Sequence, residues 1–281
     1  MKVLVTGVAG QLGYDITARL TKNGIENKGV DIADFDLTDK DAVFAAVAAY
    51  APTHIVHCAA YTAVDKAEEE RELCTRVNVD GTRFLAQACA EIGAEMMYFS
   101  TDYVFDGFSK ADPWEVGDPK SPQNHYGMTK YMGELAVQET LEHCYILRIS
   151  WVFGKNGGNF VKTMLRLGKE RDHLTVVSDQ HGAPTYTYDV AKTACEILRS
   201  GKHGVYHTPN AGETTWYEFA KEIFALAGLE VTVTPVTTAD YPTAAKRPMN
   251  SRLSVHSLTD AGFTSLPHYS DALQRYLKEL E

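Results

Sequence analysis

A tyrosine and a lysine four residues apart, Tyr126 and Lys130 in Asn124-His125-Tyr126-Gly127-Met128-Thr129-Lys130, have the types and spacing for proton transfer. On a helix, side chains at i and i+4 share one face, so the ammonium would lie near the phenol. A free phenol has a pKa of about 10, and a neighbouring positive charge favours the phenolate, which makes the phenol a stronger acid. A donor of a proton to a carbonyl oxygen needs that property near neutral pH. Alone, such a pair is more often surface decoration. Upstream, Ser100-Thr101-Asp102 ends an apolar run. A Thr101 hydroxyl there can share the carbonyl oxygen with the phenol, and two converging donors would stabilise a developing alkoxide. The competing reading is a threonine that merely caps a turn. Asp102 either joins a proton relay or orients Thr101 or a substrate hydroxyl.

The start of the chain supplies the second kind of chemistry. Met1–Thr6 is an apolar, β-branched run, followed at once by Gly7-Val8-Ala9-Gly10-Gln11-Leu12-Gly13. A buried parallel strand, closely spaced glycines and then a helix form the dinucleotide-binding arrangement. The spacing is G-x-x-G-x-x-G. Glycine lets the backbone approach a pyrophosphate, and a helix from about Leu12 to Lys22 would aim its free N–H groups and positive dipole end at that anion. Asp31 ends the second strand at the distance expected of an acid that binds the adenosine ribose hydroxyls. It would repel a 2′-phosphate, and no Arg lies between Leu20 and Asp41 to offset it. NADH is therefore favoured over NADPH, with use of both allowed. Ala59, Ala60 and Tyr61 follow the third strand, where small residues let a flat cofactor lie against the sheet edge. Trp151, just past the fifth strand, either stacks on a ring of the substrate or packs in the core.

The elements that must position these residues alternate. Strands are expected near 27–31, 53–57, 95–100 and 144–149, with helices at 42–47, capped by Thr38-Asp39, and at 78–92. That order predicts an α/β fold, a Rossmann-type doubly wound parallel sheet. Residues 1–154 read as its NAD(P)-binding domain. Residues 155–281 read as a smaller substrate-binding lobe, with segments near 187–208 packing back on the Rossmann sheet. Helices are expected there at 159–169, 188–198, 216–226 and 269–280, with short strands at 174–177, 205–207 and 231–236. The acidic run Asp65–Glu72 reads as a solvated helix face.

Composition narrows the partners. The chain has 281 residues, 44% of them apolar, enough for a substantial core. A net charge of −10 argues against nucleic acid, which calls for clustered Lys and Arg. No apolar run is long enough to span a membrane, and residues 1–6 lack the features of a signal peptide. Five scattered cysteines read as reduced thiols of a cytoplasmic protein. No Cys or His spacing marks a zinc site.

Seven runs, V-T-G-V-A-G-Q-L-G, H-C-A-A-Y-T-A-V-D-K-A-E, S-T-D-Y-V-F-D-G, Y-G-M-T-K, S-W-V-F-G, D-Q-H-G-A-P-T and K-R-P-M-N-S-R-L, occur in that order. Together they resemble the extended short-chain dehydrogenase/reductases, and within them the branch that completes dTDP-L-rhamnose synthesis. The resemblance runs from Met1 to the C-terminal helix. It implies reduction of the 4-keto group of a dTDP-linked 6-deoxy-hexulose by NAD(P)H. It further implies that Gly10, Gln11, Leu12, Asp31, Asp36, Leu37, Ala60, Tyr61, Thr62, Tyr126 and Lys130 hold the cofactor, beside Gly7, Gly13, Ala59 and Ser100 of the same segments. Thr101, Asp102, Tyr126 and Trp151 would face the sugar, and Asn159, Arg247 and Arg252 would reach the nucleotide diphosphate. Some members of that branch form dimers bridged by Mg²⁺ through glutamates. This chain has Asp15, and Tyr188 beside Asp189; a hard cation wants oxygen ligands, and a tyrosine is a poor one. A monomer with no essential metal is expected. Two other readings stand beside this one. A nucleotide-sugar 4-epimerase or dehydratase on the same fold would keep its cofactor bound, and a non-catalytic dinucleotide-binding regulatory subunit would have little use for Thr101, Tyr126 and Lys130 together.

Overall fold

Five strands of the first half lie side by side in the computed structural model, which describes residues 1–281. They are β1 (Lys2–Thr6), β2 (Glu26–Val30), β3 (His54–His57), β4 (Glu95–Thr101) and β5 (Cys144–Ile149). A sixth strand, Gly204–His207, joins from the second half. The order across the sheet is Gly204–His207, β5, β4, β3, β1, β2, and every pairing is parallel. All six residues of β5 are buried, as are six of the seven in β4. These strands carry near-continuous apolar sequence because helices cover both faces. β2, at the edge, alternates polar and half-buried residues instead.

Helices α1 (Gln11–Lys22), α2 (Lys40–Tyr50), α3 (Arg71–Thr75), α4 (Thr82–Glu91) and α5 (His125–Thr140) belong to the first half. The second half holds α6 (Phe160–Glu170), α7 (Thr187–Ser200), α8 (Trp216–Leu226), α9 (His256–Asp260) and α10 (Tyr269–Leu280). One sheet face packs Val3, Val5, Met97 and Leu147 against Leu12, Ile16 and Leu20 of α1 and against α7. The other packs Leu4, Ile55 and Met96 against α2, α4 and α5. A separate core around Phe153, Phe219 and Tyr276 joins α6, α8 and α10 to a parallel strand pair, His173–Val177 with Thr232–Val236. No helix is long and apolar enough to cross a membrane.

Strand order reverses at β1, which pairs β2 on one side and β3 on the other, with Thr6 opposite His57. The crossover helices leave in opposite directions there, opening a crevice at the carboxyl ends of the strands. Beneath it the buried ring of His57 is held on both sides, by Thr6 Oγ1 at 2.7 Å and Thr82 Oγ1 at 3.1 Å. Burial pushes its pKa down to about 3, so it is neutral.

Two segments differ from expectation. The helix expected over 78–92 begins with a wide π-type turn, Arg76–Gly81, that continues α3 into α4. There the Asn78 side chain grips both backbone polar groups of Tyr61, accepting from its N–H at 2.8 Å and donating to its carbonyl at 3.1 Å. The acidic run is only in part a solvated helix face: Glu69–Glu72 are exposed, while Asp65 and Glu68 are half-buried. It divides into a 3₁₀ turn, Lys66–Glu68, and the start of α3. Some of its carboxylates have partners: Glu68 Oε1 accepts the His125 N–H at 2.7 Å and Glu70 accepts the Tyr61 hydroxyl at 2.7 Å. Charge spacing alone does not tell a solvated acid from one that braces the start of a neighbouring helix.

Candidate active site

The Gly-rich turn is shaped by what surrounds it. Gly7 has φ +74°, and a Cβ there would lie 2.5 Å from the Ala59 nitrogen. A Cβ on Gly13 would lie 2.2 Å from the Gly7 carbonyl oxygen, so α1 can approach the turn only as glycine. No side chain caps α1, which leaves the N–H groups of its first turn for a ligand. Asp31 braces the turn: Oδ2 accepts the Ala9 N–H at 2.8 Å and Oδ1 the Ile32 N–H at 2.9 Å.

A cavity of about 550 Å³ runs from this turn to the ends of β4 and β5. Gln11, Leu12, Ala60, Thr62 and Ser100 line it, together with Thr101, Asp102, Tyr126, Lys130 and Trp151. A second cavity, of about 230 Å³, shares Gly7, Asp31, Ala59 and Ala60 with it and adds Asp36 and Leu37. A third, of about 730 Å³, shares Tyr103 and Trp151 with the first and lies under the C-terminal lobe. The residues present fit a dinucleotide: a glycine cradle, an uncapped helix start, and a carboxylate at the end of β2.

The reacting groups come from β4 and α5. Asn124 caps α5 by accepting the Gly127 N–H at 2.8 Å. Gly127 lets the helix press on the turn after β4, since a Cβ there would meet the Tyr103 carbonyl oxygen at 2.3 Å. Tyr103 in turn stands edge-on to Tyr126, ring centroids 5.5 Å apart. Thr101 Oγ1 donates to Asp102 Oδ1 at 3.0 Å and accepts from the Tyr103 N–H at 3.3 Å. The Thr101 proton thus points at Asp102, and must rotate away to reach a substrate. Asp102 Oδ2 and Ser100 Oγ are buried with no partner. Burial pushes the Asp102 carboxyl up to about 6, against the pull of the Thr101 hydrogen bond and the nearby Ser251.

The electrostatics of the pair differ from the sequence expectation. Burial raises the Tyr126 phenol well above its ordinary value, and the charge of Asp102 raises it further. Lys130 is buried, its ammonium 4.1 Å from the centre of the Tyr98 ring. Burial lowers it to about 7, opposed by Glu134. In the ligand-free protein, desolvation therefore outweighs the effect of the ammonium on the phenol. A lysine near 7 when folded and near 10.5 when unfolded leaves the folded chain with fewer protons between those values. Stability of the cofactor-free protein should rise with pH across that window, and Lys130→Met should abolish this contribution. Thermal melts of both proteins from neutral to alkaline pH check it; parallel curves would mean Lys130 is not strained by burial.

Other residues fall in different places. Trp151 has φ +48° and stacks on Trp216, with centroids 3.6 Å and planes 11° apart. Half-buried and lining two cavities, it serves both core and crevice. Arg247 lines the third cavity. Asn159 lines none of the three; it caps α6 and its Nδ2 lies 2.9 Å from Gln11 Oε1, the Gly154 carbonyl and the Tyr276 hydroxyl. Arg252 also lies outside them, paired with Glu213 at 2.9 Å. Tyr61 lines none of the three cavities; its backbone is held by Asn78 and its hydroxyl turns to Glu70. Sequence reasoning passed over Tyr103, Arg171 and Trp216. Tyr103 sits inside the S-T-D-Y run and could have been found there; Arg171, at the polar end of α6, carries no signal.

Comparison with known proteins covers the whole molecule. The family model described as RmlD substrate binding domain matches residues 1–281. A dTDP-4-dehydrorhamnose reductase of Streptomyces griseus is 42% identical over 96% of this chain and 91% of its own. The crystal structure of a dTDP-4-dehydrorhamnose reductase from Clostridium acetobutylicum superposes with a TM-score of 0.97 at 41% identity, covering 100% of this chain and 99% of that one. A dTDP-4-dehydrorhamnose reductase from Bacillus anthracis, in complex with NADP, gives 0.96 at 40% identity, with 99% and 100% covered.

Proposed function

The chain belongs to the RmlD substrate binding domain family, whose relatives here include dTDP-4-dehydrorhamnose reductases, and from that premise we propose that it reduces dTDP-4-dehydro-6-deoxy-L-mannose (dTDP-4-dehydro-L-rhamnose) to dTDP-L-rhamnose with NAD(P)H. The observation that carries the reading is the meeting of Thr101, Tyr126 and Lys130 in one cavity with the glycine turn and the start of α1. A bound dinucleotide would supply the hydride that C4 receives. The first turn of α1 and the Gly7–Gly13 segment would hold its pyrophosphate, Asp31 its ribose, and Ala59 and Ala60 would let it lie flat. Tyr126 donates its phenolic proton to the 4-oxygen as the carbonyl is reduced, so that ketone plus hydride plus proton gives alcohol. Lys130 orients the cofactor ribose and steadies the phenolate left behind. Thr101 turns its hydroxyl from Asp102 to the same oxygen, and Asp102 then accepts from a sugar hydroxyl. Trp151, stacked on Trp216, offers an aromatic floor to the sugar. The third cavity, with Arg171 and Arg247, would take the nucleotide diphosphate.

The test is to incubate the protein with dTDP-glucose, the preceding dehydratase and epimerase, and NADH or NADPH, and to identify the product. Formation of dTDP-L-rhamnose with stoichiometric cofactor oxidation is expected. Tightly retained nicotinamide with no net consumption would instead mark an epimerase.

NADH is the favoured cofactor on the evidence of Asp31, whose carboxylate would face an adenosine 2′-phosphate. Asp31→Ala should lower kcat/KM with NADH and raise the NADPH to NADH ratio by about tenfold, the worth of one charged contact. Steady-state kinetics with both cofactors decide it, and an unchanged ratio would remove Asp31 from the site.

We read the protein as a monomer without essential Mg²⁺. The acids that would bind such an ion are engaged inside the fold: Asp15 accepts from Thr187 at 2.5 Å, and both oxygens of Asp189 accept from Arg275 at 2.9 and 2.6 Å. Those engagements support the reading that no metal is held there. Sedimentation should give a monomer whose mass is insensitive to EDTA; a dimer that dissociates with EDTA would contradict this.

A further inference from the structure

Asp65 begins the acidic run, yet it faces the other lobe. Its Oδ1 accepts the Ala245 N–H at 3.0 Å, and its Oδ2 accepts the Arg247 guanidinium. Arg247 Nη1 donates to the Tyr103 hydroxyl at 3.0 Å. Nearby, Asn124 Nδ2 donates to the Lys246 carbonyl at 2.9 Å, so the cap of α5 grips the same strap. Asp65, Tyr103 and Arg247 all line the third cavity. A guanidinium has five N–H donors, and two of these bonds hold it, leaving the others for a ligand.

A carboxylate beside an anion-binding arginine subtracts charge from the site. It also removes rotamer freedom that a loose arginine would lose on binding. We propose that Asp65 is a positioning residue for the sugar nucleotide: with Tyr103 it pins Arg247 across the junction of the two lobes, so that the guanidinium is already aimed when a diphosphate enters. The proposal rests on the reductase reading for the identity of the ligand. Its geometric root is independent of the chemistry at Tyr126, although Tyr103 touches both.

The probe is dTDP, titrated calorimetrically into wild type, Asp65→Asn, Arg247→Gln and the double variant, with steady-state kinetics alongside. Asp65→Asn keeps an acceptor for the Ala245 N–H and the shape of the side chain. It should weaken dTDP and raise the sugar KM by about tenfold, as loss of a charged hydrogen bond does. The cofactor KM and kcat should stay within about twofold, and the double variant should bind dTDP no more weakly than Arg247→Gln alone. Unchanged or tighter dTDP binding by Asp65→Asn would overturn the proposal, because the carboxylate would then only repel the ligand. Additive losses in the double variant would also overturn it, since Asp65 would not be acting through Arg247. Should Asp65→Asn fail to fold, Tyr103→Phe removes the other tie to Arg247 without altering charge. It should weaken dTDP by about threefold, toward the lower range of a neutral hydrogen bond; no change would again reject pinning. A wild type that binds dTDP but leaves the keto sugar unreduced would reject the reductase reading and not the proposal.

Discussion

Tyr126→Phe is expected to lower kcat by about 10²–10⁴, the usual contribution of a positioned general acid, or roughly 3–5 kcal/mol of transition-state stabilisation. Only a hydroxyl is removed, and the ring can keep its edge-on contact with Tyr103. Folding and cofactor binding should therefore survive. Most of the loss should appear in kcat, because the proton moves as the hydride arrives and not in the ground state. The structure raises the stakes of this experiment. With the phenol pushed up by burial and by Asp102, Tyr126 is a reluctant acid in the ligand-free protein. If purified Tyr126→Phe, folded by thermal melting, reduces the keto sugar within about tenfold of wild type, it falls short of the general-acid range. Asp102, buried with one free oxygen and a carboxyl near 6, would then be the donor to examine.

The second large effect belongs to Gly7→Ala. The residue sits at φ +74°, and an added Cβ would lie 2.5 Å from the Ala59 nitrogen and 2.7 Å from its Cα. The left-handed backbone alone costs about 1–2 kcal/mol for a residue with a Cβ. The overlap with backbone atoms must be relieved by moving the turn, the Ala59 segment, or both. Each is a wall of the crevice, so the dinucleotide should lose two or so charged N–H contacts at once, roughly 100-fold in affinity. A titration with NADPH, beside a thermal melt showing that the variant is folded, measures this. Retention of affinity within about threefold, less than one such contact, would show that this turn does not cradle the pyrophosphate.

Much of the fold was legible because it rests on short-range signals. β5 is a buried run, apolar but for Arg148, and Asp39 caps α2 by accepting the Ala42 N–H, as its position before an apolar helix suggests. Four helices of the second half begin and end within two residues of expectation; the short α9 was not expected. What was not legible depends on partners distant in sequence. Asp65 lies 182 residues from Arg247, and nothing in the local pattern marks it as other than one acid in a run. Arg252 stood in a promising motif, but its pairing with Glu213 turns it elsewhere. The effect of Lys130 on Tyr126 was argued from spacing, which fixes a face and says nothing of solvent. Desolvation instead raises the phenol and lowers the ammonium.

The strand Gly204–His207 is hydrogen-bonded to β5 yet is made from the second half of the chain. A protein cut after Gly154 would therefore expose the whole backbone row of β5 as an open sheet edge, flanked by some of the most apolar sequence in the molecule. Such an edge invites pairing with another chain. An expressed N-terminal fragment should come out as aggregate, however complete its glycine turn, and the intact protein should melt in one step, because the core on one face of the sheet is built from both halves.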